Sequence, residues 1–195
     1  MAEELARRLM KWYSVNKRQF PWRVGMRDEW VVALTAILLR KTRAESVAKH
    51  YSRIVASISS PQRALELGVE GIEELLKPLG LHRTRARQIY ALAENWVKGG
   101  KPGLGPYALS LIDCLLRGRL VPVVDVNTRR VVSRFFGVEE AEVGGLLAEA
   151  VRAAGTCELN LALMDLAATV CKPRRPACSQ CPLADLCLYA RSAKH

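Results

Sequence analysis

Four of the six cysteines lie close together near the end of the chain, with a spacing that could bind metal. Cys171, Cys178, Cys181 and Cys187 are separated by gaps of six, two and five residues. Four thiolates can hold a tetrahedral zinc ion, or each can ligate one iron of a [4Fe–4S] cluster. The gaps match neither the paired C-x2-C motifs of a zinc ribbon nor the ferredoxin pattern. The spacing alone therefore leaves an iron–sulfur cluster, zinc and disulfide bonds open.

A second group of residues combines a glycine-rich loop with an acid. Pro102-Gly103-Leu104-Gly105 precedes a predicted helix, and Asp125 follows Gly105 by twenty residues within an apolar run. Two glycines let the backbone approach a ligand, and the helix start offers free N–H groups to a phosphate. Most such loops are simple turns. Because burying an unpaired acid is costly, Asp125 either caps the next helix, takes part in chemistry, or does both.

The segments that must position these residues are predicted to be helical almost throughout. Apolar residues recur at helical spacing in segments separated by Gly, Pro and capping residues. The predicted helices cover 3–16, 30–39, 42–58 (opened by a T-x-x-E capping box), a short one from 61, 72–77, 83–98, 107–116, 127–136, 141–154 and 160–170. The run 121–126 has no partner strand and is interpreted as an extended connector. The sequence thus predicts an all-α fold.

Composition limits the classes of partner and compartment. The chain has 195 residues, half of them hydrophobic, and a formal net charge of +11. Such an excess of positive charge favours polyanions, although a generic basic surface would give the same charge. No stretch reaches the length of apolar residues that a membrane span needs. We expect an intracellular protein, in which thiols stay reduced and a cysteine cluster points to metal.

These motifs occur in the order found in helix-hairpin-helix DNA glycosylases of the endonuclease III and MutY type, which the chain resembles over 12–190. The cysteine spacing resembles the cluster loop of that family. Four further segments agree with it: Phe20-Pro21-Trp22-Arg23, Ile37-Leu38-Leu39-Arg40-Lys41-Thr42, Leu79-Gly80-Leu81 followed by Arg85-Ala86, and Asn160-Leu161-Ala162-Leu163-Met164-Asp165.

The resemblance implies a two-lobed helix-hairpin-helix DNA glycosylase fold with a C-terminal iron–sulfur cluster loop. One lobe would comprise 24–126, with the hairpin at about 99–107, and the other 1–23 plus 127–195. The cysteines of 171–187 would then bind a [4Fe–4S] cluster. The remaining cysteines, Cys114 and Cys157, lie outside this spacing, and we expect them to be buried, unligated thiols.

The resemblance also assigns the chemistry. Asp125 takes the position of the family's essential Asp, where a carboxylate stabilises an oxocarbenium-like sugar or activates water. Tyr107 stands where endonuclease III-like lyases carry a Lys that forms a Schiff base. A Tyr there is similar to the archaeal-type G·T/G·U mismatch glycosylases and implies base excision without efficient strand cleavage. Tyr107 could also pack beside the extruded base, or be an ordinary buried aromatic residue.

The expected DNA contacts come from three places in the chain. Leu81 falls where the family inserts a side chain into the gap left by the flipped nucleotide, though it could be a helix-packing Leu. Arg40 and Lys41 align with residues that approach the opposite strand, though they could be helix-end cations. The backbone of Gly103 and Gly105 would bind phosphate. The cluster loop would present further cations to the DNA backbone, namely Lys172, Arg174 and Arg175.

Two departures from the family qualify these expectations. Ala36 occupies a position where adenine and mismatch thymine glycosylases usually carry Glu. The absence of that acid argues against adenine excision, which needs a protonated purine. The segment 98–102 is also shorter than in the relatives, so the first helix of the hairpin is either missing or supplied by 83–98.

The sequence therefore predicts a monomeric, cytoplasmic, nucleoid-associated DNA glycosylase with no membrane association. Its substrate would be double-stranded DNA containing a mismatched or damaged base, and it would remove thymine or uracil opposite guanine. Alternatives are a glycosylase for adenine or an oxidised base, a non-catalytic DNA-damage-binding protein, and a zinc-dependent nucleic-acid-binding module.

Overall fold

The structure is a computed structural model that describes residues 1–24, 28–99 and 104–192. Within these ranges it contains no β-strand, so the all-α prediction is confirmed. The helices of the described residues are α1 (Ala2–Asn16), α2 (Glu29–Leu39), α3 (Ala44–Ser57), α4 (Pro61–Leu76), α5 (His82–Val97), α6 (Pro106–Arg117), α7 (Val126–Phe136), α8 (Val143–Ala154), α9 (Glu158–Thr169) and α10 (Leu188–Ser192). None of these helices is long and apolar enough to cross a membrane.

Polar side chains cap the start of two helices, α2 and α4. The Asp28 side chain accepts a hydrogen bond from the Val31 amide at 3.1 Å, at the start of α2. The Ser60 hydroxyl accepts one from the Arg63 amide at 3.2 Å and precedes Pro61, the first residue of α4. These caps satisfy N–H groups that have no partner within the helix.

The predicted capping box at Thr42 is wrong. The N-cap of α3 is Arg43 rather than Thr42, and the Arg43 side chain makes no capping hydrogen bond. The Thr42 hydroxyl instead accepts a hydrogen bond from the Arg85 guanidinium, 43 residues later in the chain. A local pattern cannot reveal this, because the competing donor comes from another helix.

The two short helices predicted on either side of Gly68 are both present, as two segments of α4 separated by a kink at Gly68. Gly68 has φ 66° and ψ 174° inside α4 and interrupts the helical backbone there. Glycine accepts this left-handed φ because it has no Cβ. The helix resumes after it and continues to Leu76.

The chain divides into two compact units, Met1–Arg18 with Asp113–His195, and Gln19–Ile112. In the first unit, α1 packs on α8 and α9, and α7 packs on α8, α9 and α10. The largest side chains of its core are fully buried and come from several helices, including Leu5, Leu9, Phe135 and Leu147. In the second unit, α4 packs on α5, and α2 packs on α3 and α5, around Leu34, Leu38, Ile54, Ile72 and Ile89.

These boundaries differ from the predicted lobes of 24–126 and 1–23 plus 127–195. The first unit begins its second segment at Asp113 and includes Asp125. The reason lies in the connector 118–125, which is neither helix nor strand. Its backbone is bound by Asn160 of α9, so it belongs with that helix.

Candidate active site and cysteine loop

Asp125 ends the extended connector and is the N-cap of α7. Its Oδ1 accepts hydrogen bonds from the backbone amides of Asn127 at 2.9 Å and Thr128 at 2.7 Å. Its Oδ2 accepts one from the Asn127 side-chain Nδ2 at 2.9 Å. The Thr128 hydroxyl in turn accepts from the Asp125 amide at 2.9 Å, which completes a capping box. Capping and chemistry are compatible here, because a carboxylate offers about four lone-pair positions.

Two buried polar side chains hold the connector that leads to this carboxylate. Asn160 accepts from the Val123 amide at 2.9 Å and donates to the Val121 carbonyl at 3.1 Å. The Thr128 hydroxyl donates to the Val123 carbonyl at 3.1 Å. Asn160 and Thr128 are almost completely buried. Because buried amide and hydroxyl groups have few alternative partners, these bonds fix the path of the chain into Asp125.

Tyr107 is the second residue of α6 and is half-buried. The carbonyl of Gly105 just before the helix accepts from the amides of Ala108 and Leu109, at 3.0 Å and 3.2 Å. Gly103 and the middle of the predicted hairpin, 100–103, lie outside the described residues. The helix that precedes this loop in the chain is α5, which corresponds to the predicted segment 83–98. The roles of Tyr107, Gly103 and Gly105 stay predictions.

Three non-glycine residues among those described have a left-handed backbone. They are Lys41, Leu81 and Arg175, with φ of 52°, 51° and 50°. Such conformations cost about 1–3 kcal/mol each and persist only where the surrounding structure holds them, which concentrates them at functional sites. All three belong to the DNA contacts predicted from the sequence.

The exposure of these side chains agrees with a role at the surface. Leu81 is 53% exposed at the N-cap of α5, so only part of its surface packs against the protein. Arg40 and Lys41 follow α2 and are also exposed. An exposed large apolar side chain is the kind of group that can enter a base stack. Contact with DNA remains a prediction for all three residues.

The cysteine loop holds four free thiols, on Cys171, Cys178, Cys181 and Cys187, each half-buried. Burial and then the charges of the other three cysteines raise the pKa of the Cys181 thiol to about 11. Four thiolates so close to one another need positive charge, which the irons of a cluster supply. The donor set therefore fits a [4Fe–4S] cluster. Among the described residues, no group of three or more His, Cys, Asp or Glu side chains is arranged to hold a single metal ion.

Two arginines on one face of α7 hold the start of this loop, and neither was predicted from the sequence. Arg130 donates from Nε to the Cys171 carbonyl at 2.9 Å and from Nη2 to the Asn127 side chain at 3.1 Å. A continuous chain of hydrogen bonds therefore joins Asp125, Asn127, Arg130 and Cys171. Burial lowers the pKa of Arg130, while the charge of Cys171 raises it.

Arg134, one turn further along α7, binds the residues after Cys171. It donates to the Lys172 carbonyl at 2.8 Å and the Pro173 carbonyl at 3.0 Å. Its Nη1 lies 3.4 Å from the Cys171 sulfur, and its guanidinium lies 4.5 Å from the centre of the Tyr189 ring. Asn127, Arg130 and Arg134 are spaced three and four residues apart, which places them on one face of a helix. This spacing was the signal in the sequence that could have identified the two arginines. The cations Lys172, Arg174 and Arg175 of the same loop are exposed.

The prediction that Cys114 and Cys157 are unligated thiols is wrong, because they form a disulfide. Their Cα atoms are 5.6 Å apart, and 43 residues separate them in the chain. Asn160 donates to the Cys114 sulfur at 3.4 Å, so the disulfide lies beside the residue that holds the connector. The two cysteines have no characteristic spacing, so no sequence pattern could have paired them.

Ala36 lies on α2 and is 5% exposed. Its methyl group stands at the position where the family resemblance led us to expect an acid. Its neighbour Thr35 is also buried, and the Thr35 hydroxyl donates to the Val31 carbonyl and bonds to the Tyr51 hydroxyl at 2.8 Å. Burial raises the pKa of Tyr51.

Comparison with known proteins places this architecture in a family. Residues 34–152 match the family model described as HhH-GPD superfamily base excision DNA repair protein. Residues 171–187, from the first to the last cysteine of the loop, match the iron–sulfur binding domain of endonuclease III. The predicted superfamily and the predicted [4Fe–4S] cofactor are thereby confirmed.

Individual relatives agree with the family models. A thymine/uracil-DNA glycosylase of Methanothermobacter thermautotrophicus is 32% identical over 93% of this chain and 90% of that protein. The human adenine DNA glycosylase is 30% identical over 92% of this chain but only 38% of its own length. The solved structure of a thermostable thymine-DNA glycosylase superposes with a TM-score of 0.85 at 31% identity, covering 96% of this chain and 95% of that one.

The predicted fold class and the predicted general activity follow from the same comparisons. The structure has the all-α fold of these glycosylases, and the relatives match nearly the whole chain. The chain belongs to the HhH-GPD superfamily of base excision DNA repair proteins, as a DNA glycosylase that carries an endonuclease III-type iron–sulfur domain.

Proposed function

We propose that this protein is a monofunctional glycosylase that hydrolyses the N-glycosidic bond of thymine or uracil mispaired with guanine. Two relatives of matching length are a thymine/uracil-DNA glycosylase and a structurally characterised thymine-DNA glycosylase. The chain would act as a monomer on double-stranded DNA, in the cytoplasm and on the nucleoid. Target bases must leave the helix to be cleaved, so the reaction begins with extrusion of the nucleotide.

The observation that carries the proposal is the fixed carboxylate of Asp125. Three hydrogen bonds orient it, and the connector before it is held by Asn160 and Thr128. As the bond from C1′ to the base breaks, its electron pair leaves with the base and positive charge develops on the sugar. A carboxylate with a set orientation stabilises that charge without reorganising. Water then adds to C1′ and loses its proton to Asp125 or to solvent.

Tyr107 supports the absence of a covalent step. An imine with the sugar aldehyde requires an amine, and a phenol cannot form one. Without the imine the enzyme has no protonated electron sink, and the free sugar aldehyde alone eliminates the 3′ phosphate efficiently only in alkali. The product is therefore an abasic site in an intact strand, which hot alkali cleaves.

The remaining predicted residues form the DNA contacts of the proposal. Leu81 enters the stack beside the extruded nucleotide, and Arg40 and Lys41 approach the opposite strand. Gly103 and Gly105 bring the backbone to a phosphate. The exposed cations of the cysteine loop neutralise phosphates, namely Lys172, Arg174 and Arg175. When bound, the [4Fe–4S] cluster ties its four ligands together and so fixes the shape of this loop.

A second candidate is excision of another base, because adenine DNA glycosylases are also relatives of this chain. Ala36 argues against adenine, since its methyl group cannot protonate a purine. Excision of an oxidised base, and damage binding without catalysis, are distinct outcomes of the same experiment.

The experiment uses a panel of duplexes, each with one G·T, G·U, G·A or oxidised-base pair and a matched G·C control. Excision is read as strand breaks with and without alkali. We expect alkali-dependent breaks at G·T and G·U, with the matched duplex intact. Breaks at adenine or at an oxidised base would replace the proposed substrate. Tight mismatch binding with no breaks in any duplex would make the protein a damage binder.

A further inference from the structure

The turn after α2 and the turn before α5 share one buried side chain, Arg85. The Arg40–Thr42 turn contains left-handed Lys41, and the Leu79–Leu81 turn contains left-handed Leu81. Both turns belong to the second unit. They are about forty residues apart in the chain, so nothing local fixes their separation.

The Arg85 guanidinium bonds to both turns at once. Its Nη1 donates to the Leu79 carbonyl at 3.2 Å and to the Gly80 carbonyl at 2.7 Å. Its Nη2 donates to the Arg40 carbonyl at 2.5 Å and to the Thr42 hydroxyl. Because the guanidinium is planar and its donors are fixed in a fork, these four bonds set the distance between the turns.

The surroundings of Arg85 are unusual for a side chain that only stabilises the fold. It is 2% exposed, yet its hydrogen-bond partners among the described residues are neutral oxygens rather than a carboxylate. Its Nε has no hydrogen-bond partner among the residues that the structure describes. Burial lowers the pKa of Arg85, which nevertheless stays charged as arginines do. An apolar side chain would fill this space without burying a charge.

We propose that Arg85 is a positioning residue that makes the two turns act as one unit when a base is extruded. Leu81 can insert into the base stack only if its turn stays in place while the stacked bases push back against the side chain. Arg85 transmits that force to the Arg40–Thr42 turn, whose cations approach the opposite strand. The buried positive charge of Arg85 also makes the electrostatic potential at both turns more positive. The inference deepens the proposed function and depends on its DNA contacts.

The chain offers variants that separate positioning from charge. Arg85→Lys keeps the charge but has three donors on a single atom and cannot reproduce the fork. Thr42→Val removes one acceptor with almost no change of shape and serves if Arg85→Lys does not fold. Arg87→Lys is the matched control, because Arg87 is exposed on the same helix. Thermal unfolding and the visible absorption of the cluster confirm that each variant is folded.

The test is a double-mutant cycle between Arg85→Lys and Leu81→Ala. Its readouts are single-turnover excision from a G·U duplex and the fluorescence of 2-aminopurine placed beside the mispair. We expect Arg85→Lys to slow excision by about 100-fold, as small misplacements of catalytic geometry do, and to reduce the fluorescence rise. Leu81→Ala should cost about tenfold or more in the wild type but little in the Arg85→Lys background. Arg87→Lys should match the wild type.

Additive effects in the cycle would overturn the inference, since they would mean that Arg85 does not act through the turn of Leu81. Parallel decreases in unfolding temperature and excision, with an unchanged fluorescence rise, would also overturn it and leave a purely structural Arg85. If the wild type excises no base, the proposed function fails. The fluorescence cycle with a mismatched duplex then still decides whether Arg85 couples the turns.

Discussion

The Asn127 side chain and the Asp125 carboxylate form a hydrogen bond of 2.9 Å, alongside a second of the same length from the Asn127 backbone amide to the other carboxylate oxygen. One residue thus orients both oxygens of the acid. Arg130 donates a hydrogen bond to the side-chain oxygen of Asn127 and another to the Cys171 carbonyl. The orientation of the carboxylate therefore depends on side chains that do not themselves carry out the chemistry.

Replacing Asp125 by Asn should separate chemistry from stability. Asn caps helices about as well as Asp but has only one acceptor oxygen, so we expect Asp125→Asn to lose the bond from Asn127 Nδ2 and about 1 kcal/mol of the free energy of unfolding. Base excision should fall by about a thousandfold, because an amide neither stabilises positive charge nor accepts the proton of water. Asp125→Ala is the matched variant and should additionally lose about 1 kcal/mol of stability. Asp125→Asn with wild-type excision would remove this acid from the mechanism.

Introducing an amine at position 107 tests the absence of the covalent step. We expect borohydride to trap no complex between the wild type and a substrate duplex. Tyr107→Lys places an amine at the start of α6, where imine formation would produce trapped complex and alkali-independent strand breaks. Tyr107→Phe is the control and should give neither. Trapping with the wild type would show that another amine of the chain forms the imine.

The three exposed cations of the cysteine loop should contribute to affinity without reading sequence. Replacing Lys172, Arg174 and Arg175 by Gln should reduce the slope of log affinity against log salt by about 2.7, because each phosphate that a cation neutralises adds about 0.9 to that slope. Affinity should fall by a similar factor for matched and mismatched duplexes. Arg152→Gln is a control, because Arg152 is exposed on α8 in the same unit. An unchanged slope would mean that the loop does not face phosphate.

The disulfide between Cys114 and Cys157 should make a large contribution to stability. A bridge that closes 43 residues restricts the unfolded chain by about 4 kcal/mol in the chain-entropy model. Replacing both cysteines by Ser should lower the unfolding temperature by about 10 °C, and reductant should lower that of the wild type equally. The variant itself should not respond to reductant. Alkylation and mass spectrometry then count the free thiols, and a wild type with six would refute the bridge.

The residues that could be predicted from the sequence are those whose chemistry is visible in their type and spacing. The cysteine spacing, the acid at the end of an apolar connector and the apolar periodicity of the helices each carry their own signal. Asp125 is an example. The sequence suggests two roles for it, a helix cap and a candidate catalytic acid, and both roles belong to the same carboxylate. The caps at Asp28 and Ser60 are equally local features, because their partners lie three residues away.

The features that escaped prediction depend on partners far apart in the chain. Thr42 fits a capping box, but Arg85 competes for its hydroxyl from another helix. Cys114 and Cys157 are 43 residues apart and meet beside Asn160, which binds both the connector and the Cys114 sulfur. The burial of Arg85 is also invisible in a basic helix that contains four arginine and histidine side chains within its first turns. Local patterns cannot supply such contacts, because tertiary packing creates them.

The division of the chain into a contiguous and a split unit has a consequence for the order of events during synthesis. Residues 19–112 form one unbroken unit and can complete their core as soon as they leave the ribosome. Helix α1 emerges earlier, but its apolar face packs on α8 and α9, which are made more than a hundred residues later. Until then Leu5 and Leu9 have no core to join. Helix α1 is therefore made before the unit of residues 19–112 but buried after it, and the cysteine loop is made later still.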